Sequence, residues 1–514
     1  MLRRLVKSVS AIFAGQLLNI VGNLALVPLF LSHWSTSLYG EWIALSAVVA
    51  YLGISDLGMS SAAGNVMTAA YAQRDLARYR SLQGSAMAFY LGMALSISVV
   101  LAIVAALLPL PAWCGIRDIS PSVAAAAIWL LGATVLWQMP AAQLRCIYRT
   151  TGNLSTTEWF WNLQFFLSIV STATVLVFHG GVLQLAFFGM VPTGLVSIVV
   201  WLALRRFYPE LLPSLSAARF AGVLELLTPS LLFGLITLSL ALAFQGPVLI
   251  VAKTLGGTAV ALLVTTRTLS NLVRQAINTM QAAIWPELTR LGVLGAAQTL
   301  RLSHRLFSVG TATLTASFGA ALWFEGPSVI QFWTRGHLTP DVWLLRFFLL
   351  ALALQAPWVA SSAFASATNR HRNLAFSCAR SAVLTIVFTL FLIRPLGLIA
   401  VPIGTIAAEA MACYHFIVRD VCKDLEVHYP RFALQIWQAV AAISLAAWAA
   451  GYLGHAIAVG PSPLRWVEVG AFTTLAAAAT SWVLALRPDE RSKLAAYART
   501  RYANFWGAES HCAA

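Results

Sequence analysis

Apolar stretches of about 20 residues follow one another almost without interruption from Leu5 to Leu486, separated by short loops that carry arginine. About 20 helical residues, at roughly 1.5 Å rise each, cross the roughly 30 Å hydrocarbon core of a bilayer. The composition agrees, with 59% hydrophobic residues, 10% charged residues and a mean hydropathy of +0.79. A soluble globular domain carries about 25% charged residues. The sequence therefore predicts an all-α polytopic membrane protein, in which no stretch resembles a soluble domain.

The apolar stretches predict about fourteen transmembrane helices. Their approximate bounds are 10–31, 39–60, 85–110, 122–146, 159–178, 182–204, 229–252, 257–285, 306–324, 342–366, 373–393, 397–419, 432–455 and 464–486. The fifth and eleventh stretches are the weakest candidates because they contain Asn162 and Arg380. The eighth stretch is long enough to tilt in the bilayer or to protrude from it.

Lysine and arginine are distributed unevenly among the loops. Of the 33 Lys and Arg residues, 24 fall in alternate loops on the side of the N-terminus, 6 fall in the loops between them, and 3 lie within spans. Cytoplasmic loops of membrane proteins are enriched in these two residues. The bias therefore predicts fourteen spans with both termini in the cytoplasm. It also accounts for the net charge of +15 without a nucleic-acid partner, since basic loops lie against an anionic leaflet.

The two halves of the chain resemble each other weakly. The matching positions are Pro28 and Pro247, Asn153 and Asn373, and the segments 191–194 and 401–404. Because six spans return the chain to the same side of the membrane, a six-plus-six repeat predicts two bundles related by an axis along the membrane normal. The predicted domains are an N-terminal six-helix lobe (1–210), a cytoplasmic linker helix (211–228), a C-terminal six-helix lobe (229–420), and two additional helices with a cytoplasmic tail (421–514).

The eighth span carries five polar residues on one helical face. They follow one another at intervals of four, three, four and three residues: Arg267, Asn271, Arg274, Asn278 and Gln281. A charge at membrane depth costs several kcal/mol, so these side chains face protein or a water-filled cavity. They either line that cavity or form a hydrogen-bonded seam between helices. Two arginines without an acidic partner on the same helix favour the cavity.

Polar residues in other spans extend this candidate cavity. The first span carries Gln16, Asn19 and Asn23 on one face, which alternatively serve ordinary packing between helices. Arg145 ends the fourth span and Arg380 lies in the eleventh, where either side chain could instead snorkel to the headgroups. Guanidinium groups form paired hydrogen bonds with phosphate oxygens. The set therefore predicts that the cavity binds an anion such as a pyrophosphate.

Glu409, in the twelfth span, is the only carboxylate that lies deep within a predicted span. It is a candidate for ion coupling, in which the carboxylate binds and releases a proton. Alternatively it neutralises one of the cavity arginines. We favour neutralisation, because a buried charge is most readily tolerated when it is paired.

Catalysis has little support in the sequence. It contains no Gly-rich phosphate loop, no HExxH motif and no nucleophile elbow. The six cysteines show no spacing typical of metal ligands. We therefore expect no catalytic residue, no metal and no cofactor, and we do not expect an enzyme.

Two short motifs stand out near the second span and after the eighth. Tyr39-Gly40-Glu41-Trp42 precedes the segment 51–62, YLGISDLGMSSA, and a basic loop follows at 73–75. The segment 285–290 reads WPELTR. These segments resemble the "fG.y … yl.l.DlG" and "P.ls.l" patterns of Wzx-type polysaccharide and O-antigen flippases. Those flippases belong to the multidrug/oligosaccharidyl-lipid/polysaccharide (MOP) exporter superfamily, and the resemblance extends over about residues 8–420.

The resemblance implies a MATE-like fold with two six-helix lobes around a central cavity, working by alternating access. It implies a polyprenyl-pyrophosphate-linked oligosaccharide as cargo, moved across the bacterial inner (plasma) membrane. The pathway would supply lipopolysaccharide O-antigen or another exported polysaccharide. The expected partners are the lipid-linked oligosaccharide, the lipid bilayer, and a polysaccharide polymerase with its chain-length proteins.

Three other functions stay open. A lipid II flippase of the MurJ type shares fourteen spans and cavity arginines. A MATE-type drug/cation antiporter usually has twelve spans and an acidic cavity, and this chain departs from both features. A membrane glycosyltransferase would need acidic residues on a long external loop, whereas the predicted loops are short.

Overall fold

The computed structural model describes residues 2–56, 59–293, 296–367, 372–458, 462–493 and 495. These residues form α-helices joined by short turns and contain no β-strand. The helices are α1 (Leu2–His33), α2 (Thr36–Ala50), α3 (Met59–Ala72), α4 (Leu76–Leu107), α5 (Leu110–Trp113), α6 (Pro121–Thr150), α7 (Leu154–Val177), α8 (Val182–Phe207), α9 (Phe220–Leu255), α10 (Gly257–Val293), α11 (Ala297–Trp333), α12 (Val342–Ala367), α13 (Arg372–Leu396), α14 (Ala400–Glu409), α15 (His415–Asp424), α16 (Tyr429–Ile457) and α17 (Ser462–Thr480). The predicted all-α class is confirmed. Leu57 and Gly58 of the second-span motif lie outside the described residues, as does most of the predicted cytoplasmic tail.

Within the described ranges, 12 helical stretches are long and apolar enough to cross a membrane. Only the predicted eighth span has no counterpart among these stretches. Eleven of them each match one predicted span, and the twelfth, Arg372–Asp424, holds two predicted spans. At about 1.5 Å per residue, its 53 residues would be more than twice the length of the hydrocarbon core. Gly397 reverses the chain with a φ of +57°, and α13 packs against α14. The predicted eighth span is α10, whose 37 residues are long enough to cross but more polar than the others.

The linker helix predicted over 211–228 is not a separate helix in the structure. Residues Pro209–Leu211 and Leu215–Ala217 form two short 3-10 turns. The helix that begins at Phe220 then continues without a break for 36 residues as α9. The end of the predicted linker therefore forms the first turns of the next membrane helix.

The chain forms two compact units, each built from three segments. The first unit comprises Met1–Gln275, Val329–Phe348 and His371–Cys413, and the second comprises Ala276–Ser328, Leu349–Arg370 and Tyr414–Ala514. Among the residues that the structure describes, the first unit holds two buried apolar clusters and the second holds one. These units group helices by contact, whereas the predicted lobes group them by sequence repeat. The two six-helix lobes stay a prediction.

Charged residues of the second unit gather at its two ends. Near the start of α11, Arg305 forms an ion pair of 2.9 Å with Glu490. Glu325 lies 20 residues further along the same helix, about 30 Å away, and binds His455 at 2.6 Å and Arg465 at 2.9 Å. Arg305 belongs to a predicted inside loop and Arg465 to a predicted outside loop. Their separation at opposite ends of one helix is the relative arrangement that the charge bias predicts.

Candidate functional site

The first half of α10 places two arginines of the predicted stripe over one aromatic ring. The guanidinium carbon of Arg267 lies 5.5 Å from the ring centroid of Phe244, and that of Arg274 lies 5.7 Å from it. Arg267 Nη1 also donates a hydrogen bond of 2.7 Å to the Phe244 carbonyl oxygen. The two arginines are seven residues apart, about two helical turns, and therefore share a face. Phe244, on α9, holds both cations through the negative face of its ring.

Glu409 supplies an acidic group to this site. It ends α14, is only 7% exposed, and its charge interacts with Arg274 within the first unit. The five residues that follow it, Ala410–Tyr414, form a π-helix. π-helical turns inside α-helices are frequent at functional sites. We refer to Phe244, Arg267, Arg274 and Glu409 together as the arginine site.

The charges of the arginine site do not balance. Two guanidinium groups face one carboxylate, which leaves one positive charge in partly buried surroundings. The Phe244 ring offsets a small part of that charge, about 1 kcal/mol per cation. An anion with several oxygens could form paired hydrogen bonds with guanidinium groups of this kind. The geometry therefore suits an anionic ligand better than a cationic one.

The neutral polar residues of α1 meet α10 beside this site. Gln275 Nε2 donates to Asn19 Oδ1 at 3.1 Å, and Asn23 Nδ2 donates to the same oxygen at 2.9 Å. The Gln275–Asn19 bond joins α10 to α1, and the Asn23–Asn19 bond lies within α1. Gln275 follows Arg274 directly and lies off the predicted stripe, so the spacing rule alone could not identify it.

The positions of the remaining residues of the α10 and α1 stripes do not by themselves indicate a ligand. Asn271 and Gln16 are half-buried in the first unit. Asn278 is exposed and Gln281 is half-buried, and both belong to the second unit. A single continuous surface formed by all five residues of the α10 stripe therefore stays a prediction.

Arg145 lies in a cavity of its own, bounded by α3, α6 and α7 in the first unit. The cavity has a volume of about 320 Å³. The Arg145 side chain is only 3% exposed and is therefore enclosed by protein. Its Nη1 donates to Gln164 Oε1 at 2.9 Å, and its guanidinium group lies 5.3 Å from the Trp161 ring centroid. Glu158 also lines this cavity and interacts with Arg145 electrostatically.

Arg380 is exposed on α13. Its Nη2 donates to Ser377 Oγ at 3.1 Å, one turn earlier on the same helix. The charges of Arg380 and Glu409 both act on Cys413, which places Arg380 in the neighbourhood of Glu409. An exposed guanidinium is compatible with snorkelling, and a role in binding cargo stays a prediction.

The motif residues near the second span have structural roles. Glu41 is only 2% exposed, and its carboxylate accepts backbone N–H bonds of 2.6 to 3.0 Å from residues 117–119, just before α6. A β-carbon at Gly40 would overlap the backbone at the start of α10. Asp56 accepts a hydrogen bond of 2.6 Å from the Tyr90 hydroxyl. These residues fix loops and close helix contacts in the first unit.

The role of Glu41 predicts a measurable loss of stability. Glu41→Gln replaces a carboxylate that accepts several N–H bonds by an amide with one acceptor oxygen, which should cost about 1.5–3 kcal/mol. We expect a lower melting temperature in detergent, measured by intrinsic fluorescence. Glu225→Gln is the matched control, since its partner Arg78 is exposed, and its melting temperature should not change. Equal melting temperatures for both variants would contradict the role of Glu41.

The chain matches no family model and no curated protein by sequence. Its structure is similar to that of the lipid II flippase MurJ in an inward closed conformation, with a TM-score of 0.69 and 12% identity over 92% of this chain and 98% of that chain. It is also similar to an inward-facing multidrug resistance MATE transporter of the MOP superfamily, with a TM-score of 0.64 and 14% identity over 83% of this chain and 95% of that chain. A MOP superfamily transporter from Pyrococcus furiosus, whose binding pocket has reverse polarity, gives a TM-score of 0.58 and 13% identity over 82% of this chain and 95% of that chain. The chain therefore has the fold of the MurJ and MATE transporters of the MOP superfamily.

Proposed function

We propose that the protein is a flippase that moves a polyprenyl-pyrophosphate-linked oligosaccharide across the bacterial inner membrane by alternating access, for surface polysaccharide synthesis. The observation that carries the proposal is the arginine site, where Arg267 and Arg274 lie over Phe244 on membrane helices. The MOP-superfamily fold supports a transport function rather than an enzymatic one. A polysaccharide polymerase and chain-length proteins are the partners that this function would require.

The charge of the site separates two kinds of cargo. A pyrophosphate presents several anionic oxygens, which match the fork geometry of a guanidinium group. A cationic drug would meet a net positive charge and would lose its hydration without an acidic partner of its own. The arginine site therefore favours a phosphate-bearing cargo over the cargo of a drug/cation antiporter.

Lipid II transport is the second candidate function, because the same phosphate chemistry would serve it. The likeness to the lipid II flippase MurJ covers 92% of this chain, against 83% for the MATE transporter. The Wzx-like motifs near the second span favour oligosaccharide transport instead, although their residues have structural roles. The charges of the arginine site do not distinguish the two cargoes, because both carry a pyrophosphate.

Complementation in two bacterial strains tests the proposal. One strain lacks its surface-polysaccharide flippase, and the other is depleted of its lipid II flippase. We expect the chain to restore surface polysaccharide in the first strain and not growth in the second. The reverse result would establish the second candidate, and a correctly inserted protein that rescues neither strain would contradict both. When variants of the arginine site are tested in the same strains, Arg205→Ala is the control, since it removes an exposed arginine at the end of α8, outside the site.

The charge bias predicts the orientation of the chain. In a background without native cysteines, Thr339→Cys should react with a membrane-impermeant maleimide in intact cells, and Gln73→Cys should react only after the membrane is opened. Gln73 and Thr339 both lie in turns between helices, so neither substitution removes a packed side chain. Labelling of Gln73→Cys alone from outside would reverse the proposed orientation.

A further inference from the structure

A second cavity lies in the second unit, where α11 and α16 begin and the stretch that includes α17 ends. Its volume is about 700 Å³. Five cationic side chains line it: Arg301, Arg305, Arg431, Arg487 and Lys493. Its lining includes two carboxylates, those of Asp489 and Glu490, and Glu426 pairs with Arg301 at 2.6 Å. We refer to this site as the basic cavity, and its excess of cations favours an anionic occupant.

Two long helices point their N-termini toward the basic cavity. Gln298 and Thr299, in the first turn of α11, line it, as do His428 and Arg431 at the start of α16. Neither first turn contains an acidic residue. The unpaired N–H groups and the helix dipole give each N-terminus a partial positive charge, which adds to that of the side chains.

Part of the cavity wall is held in place by the protein itself. Arg305 Nη1 and Arg487 Nη2 both donate to Gln435 Oε1 at 2.9 Å. Arg305 also donates to the carbonyl oxygen of Ala485 at 2.9 Å and pairs with Glu490 at 2.9 Å. These bonds join α11, α16 and the end of the last membrane stretch. The cavity is therefore preorganised before any ligand binds, which lowers the entropy cost of binding.

Arg431 and Lys493 differ from Arg305 and Arg487 in their exposure. Both side chains are exposed at the mouth of the cavity rather than held in its wall. Leu434 and Leu484, one and three residues in sequence from the lining residues Gln435 and Arg487, are 60% and 70% accessible. The positive, polar lining thus lies close in sequence to exposed apolar side chains on membrane helices.

We propose that the basic cavity binds the phosphate of an anionic phospholipid headgroup. The cavity lies where the stretches Ala297–Trp333, Tyr429–Ile457 and Ser462–Ala485 reach an end, which is headgroup depth for helices of this apolarity. The predicted topology assigns these ends to the cytoplasmic leaflet, which is rich in anionic lipid. The exposed leucines would contact the acyl chains. The arginine site plays no part in this proposal, which does not depend on the identity of the transported cargo.

Native mass spectrometry and thermal unfolding of the whole chain test this site. The protein is measured in nanodiscs of phosphatidylcholine with and without phosphatidylglycerol. We expect the wild type to retain phosphatidylglycerol and to gain melting temperature from it. The double variant Arg431→Gln/Lys493→Gln should bind it about 30-fold more weakly, since each cation near a membrane surface contributes about fivefold. The charge-preserving variant Arg431→Lys/Lys493→Arg should retain most of the binding.

A matched control separates the cavity from general surface charge. Arg419→Gln/Lys423→Gln removes two exposed cations from α15 in the same unit, and neither residue lines the cavity. This control should bind phosphatidylglycerol like the wild type. Equal losses in the two double variants, or no loss in either, would overturn the proposal.

Two further arms identify the source of the phosphate. Inorganic pyrophosphate should displace phosphatidylglycerol only poorly, because it lacks acyl chains. Undecaprenyl phosphate should not bind more tightly than phosphatidylglycerol. Full displacement by pyrophosphate would assign the cavity to a soluble anion, and a strong preference for undecaprenyl phosphate would assign it to a lipid carrier. Either result would overturn the assignment to a phospholipid.

Discussion

Arg267→Ala should reduce translocation of a lipid-linked oligosaccharide at least about 30-fold, while the amount of protein in the membrane stays close to that of the wild type. Loss of one partner from a desolvated, charged contact costs about 2–5 kcal/mol. The same loss of transport is expected for Arg274→Ala, whose guanidinium lies over the same ring. Translocation is measured in vesicles with fluorescent lipid-linked sugar, and protein level by quantitative immunoblotting of membranes.

A graded series separates binding of cargo from a structural role of Arg267. Arg267→Gln can still donate a hydrogen bond toward the Phe244 carbonyl oxygen, which accepts from Arg267 at 2.7 Å in the wild type, but it carries no charge. If Arg267 only joins α9 to α10, this variant should transport normally. If Arg267 contacts phosphate, the variant should fail as Arg267→Ala does.

The matched control is a substitution of another arginine that lies over an aromatic ring, but outside the arginine site. Arg205 lies at the end of α8 with its guanidinium 5.4 Å from the Trp201 ring centroid, and both side chains are exposed. Arg205→Ala removes a cation over an aromatic ring outside the site, so it should transport like the wild type. Normal transport by both Arg267→Ala and Arg274→Ala would rule out the arginine site as a cargo site. Loss of protein level in both would instead identify a structural seam.

The sequence was sufficient for the class of fold because membrane crossing depends on length and apolarity, which are local. It was less reliable where two features compete. α10 was predicted as a long apolar span at 257–285, yet it is too polar to count among the helical stretches that are apolar enough to cross a membrane. The linker beyond residue 211 was misplaced because an amphipathic start and an apolar continuation belong to one helix, α9.

In the candidate site too, local features could be predicted from the sequence and contacts between helices could not. Arg267 and Arg274 could be predicted from spacing, since residues seven apart share a helical face. Phe244 could not, because nothing local distinguishes one phenylalanine on α9 from its apolar neighbours. Gln275 and Asn19 meet only when two distant helices pack, at a hydrogen-bond distance of 3.1 Å. Partners on other helices are a tertiary property, and no periodicity within one helix reveals them.

Glu409→Gln distinguishes charge balance from ion coupling. The carboxylate interacts with Arg274, and its removal leaves a second uncompensated cation in partly buried surroundings. Removing one partner of a buried charge pair costs about 3–5 kcal/mol. We therefore expect a lower melting temperature and impaired transport at every pH. A stable variant that transports but ignores an imposed proton gradient would show that Glu409 carries the coupling proton.

The double variant Arg274→Gln/Glu409→Gln completes this test. Charge balance predicts that removing both groups restores much of the stability lost in Glu409→Gln, because no unpaired charge remains at that pair. Transport should stay low, since the phosphate contact of Arg274 is gone as well. The coupling energy comes from the melting curves of the wild type, the two single variants and the double variant, all in the same detergent. If the two losses of stability simply add, Arg274 and Glu409 do not stabilise each other, and the carboxylate must act on the arginine site in another way.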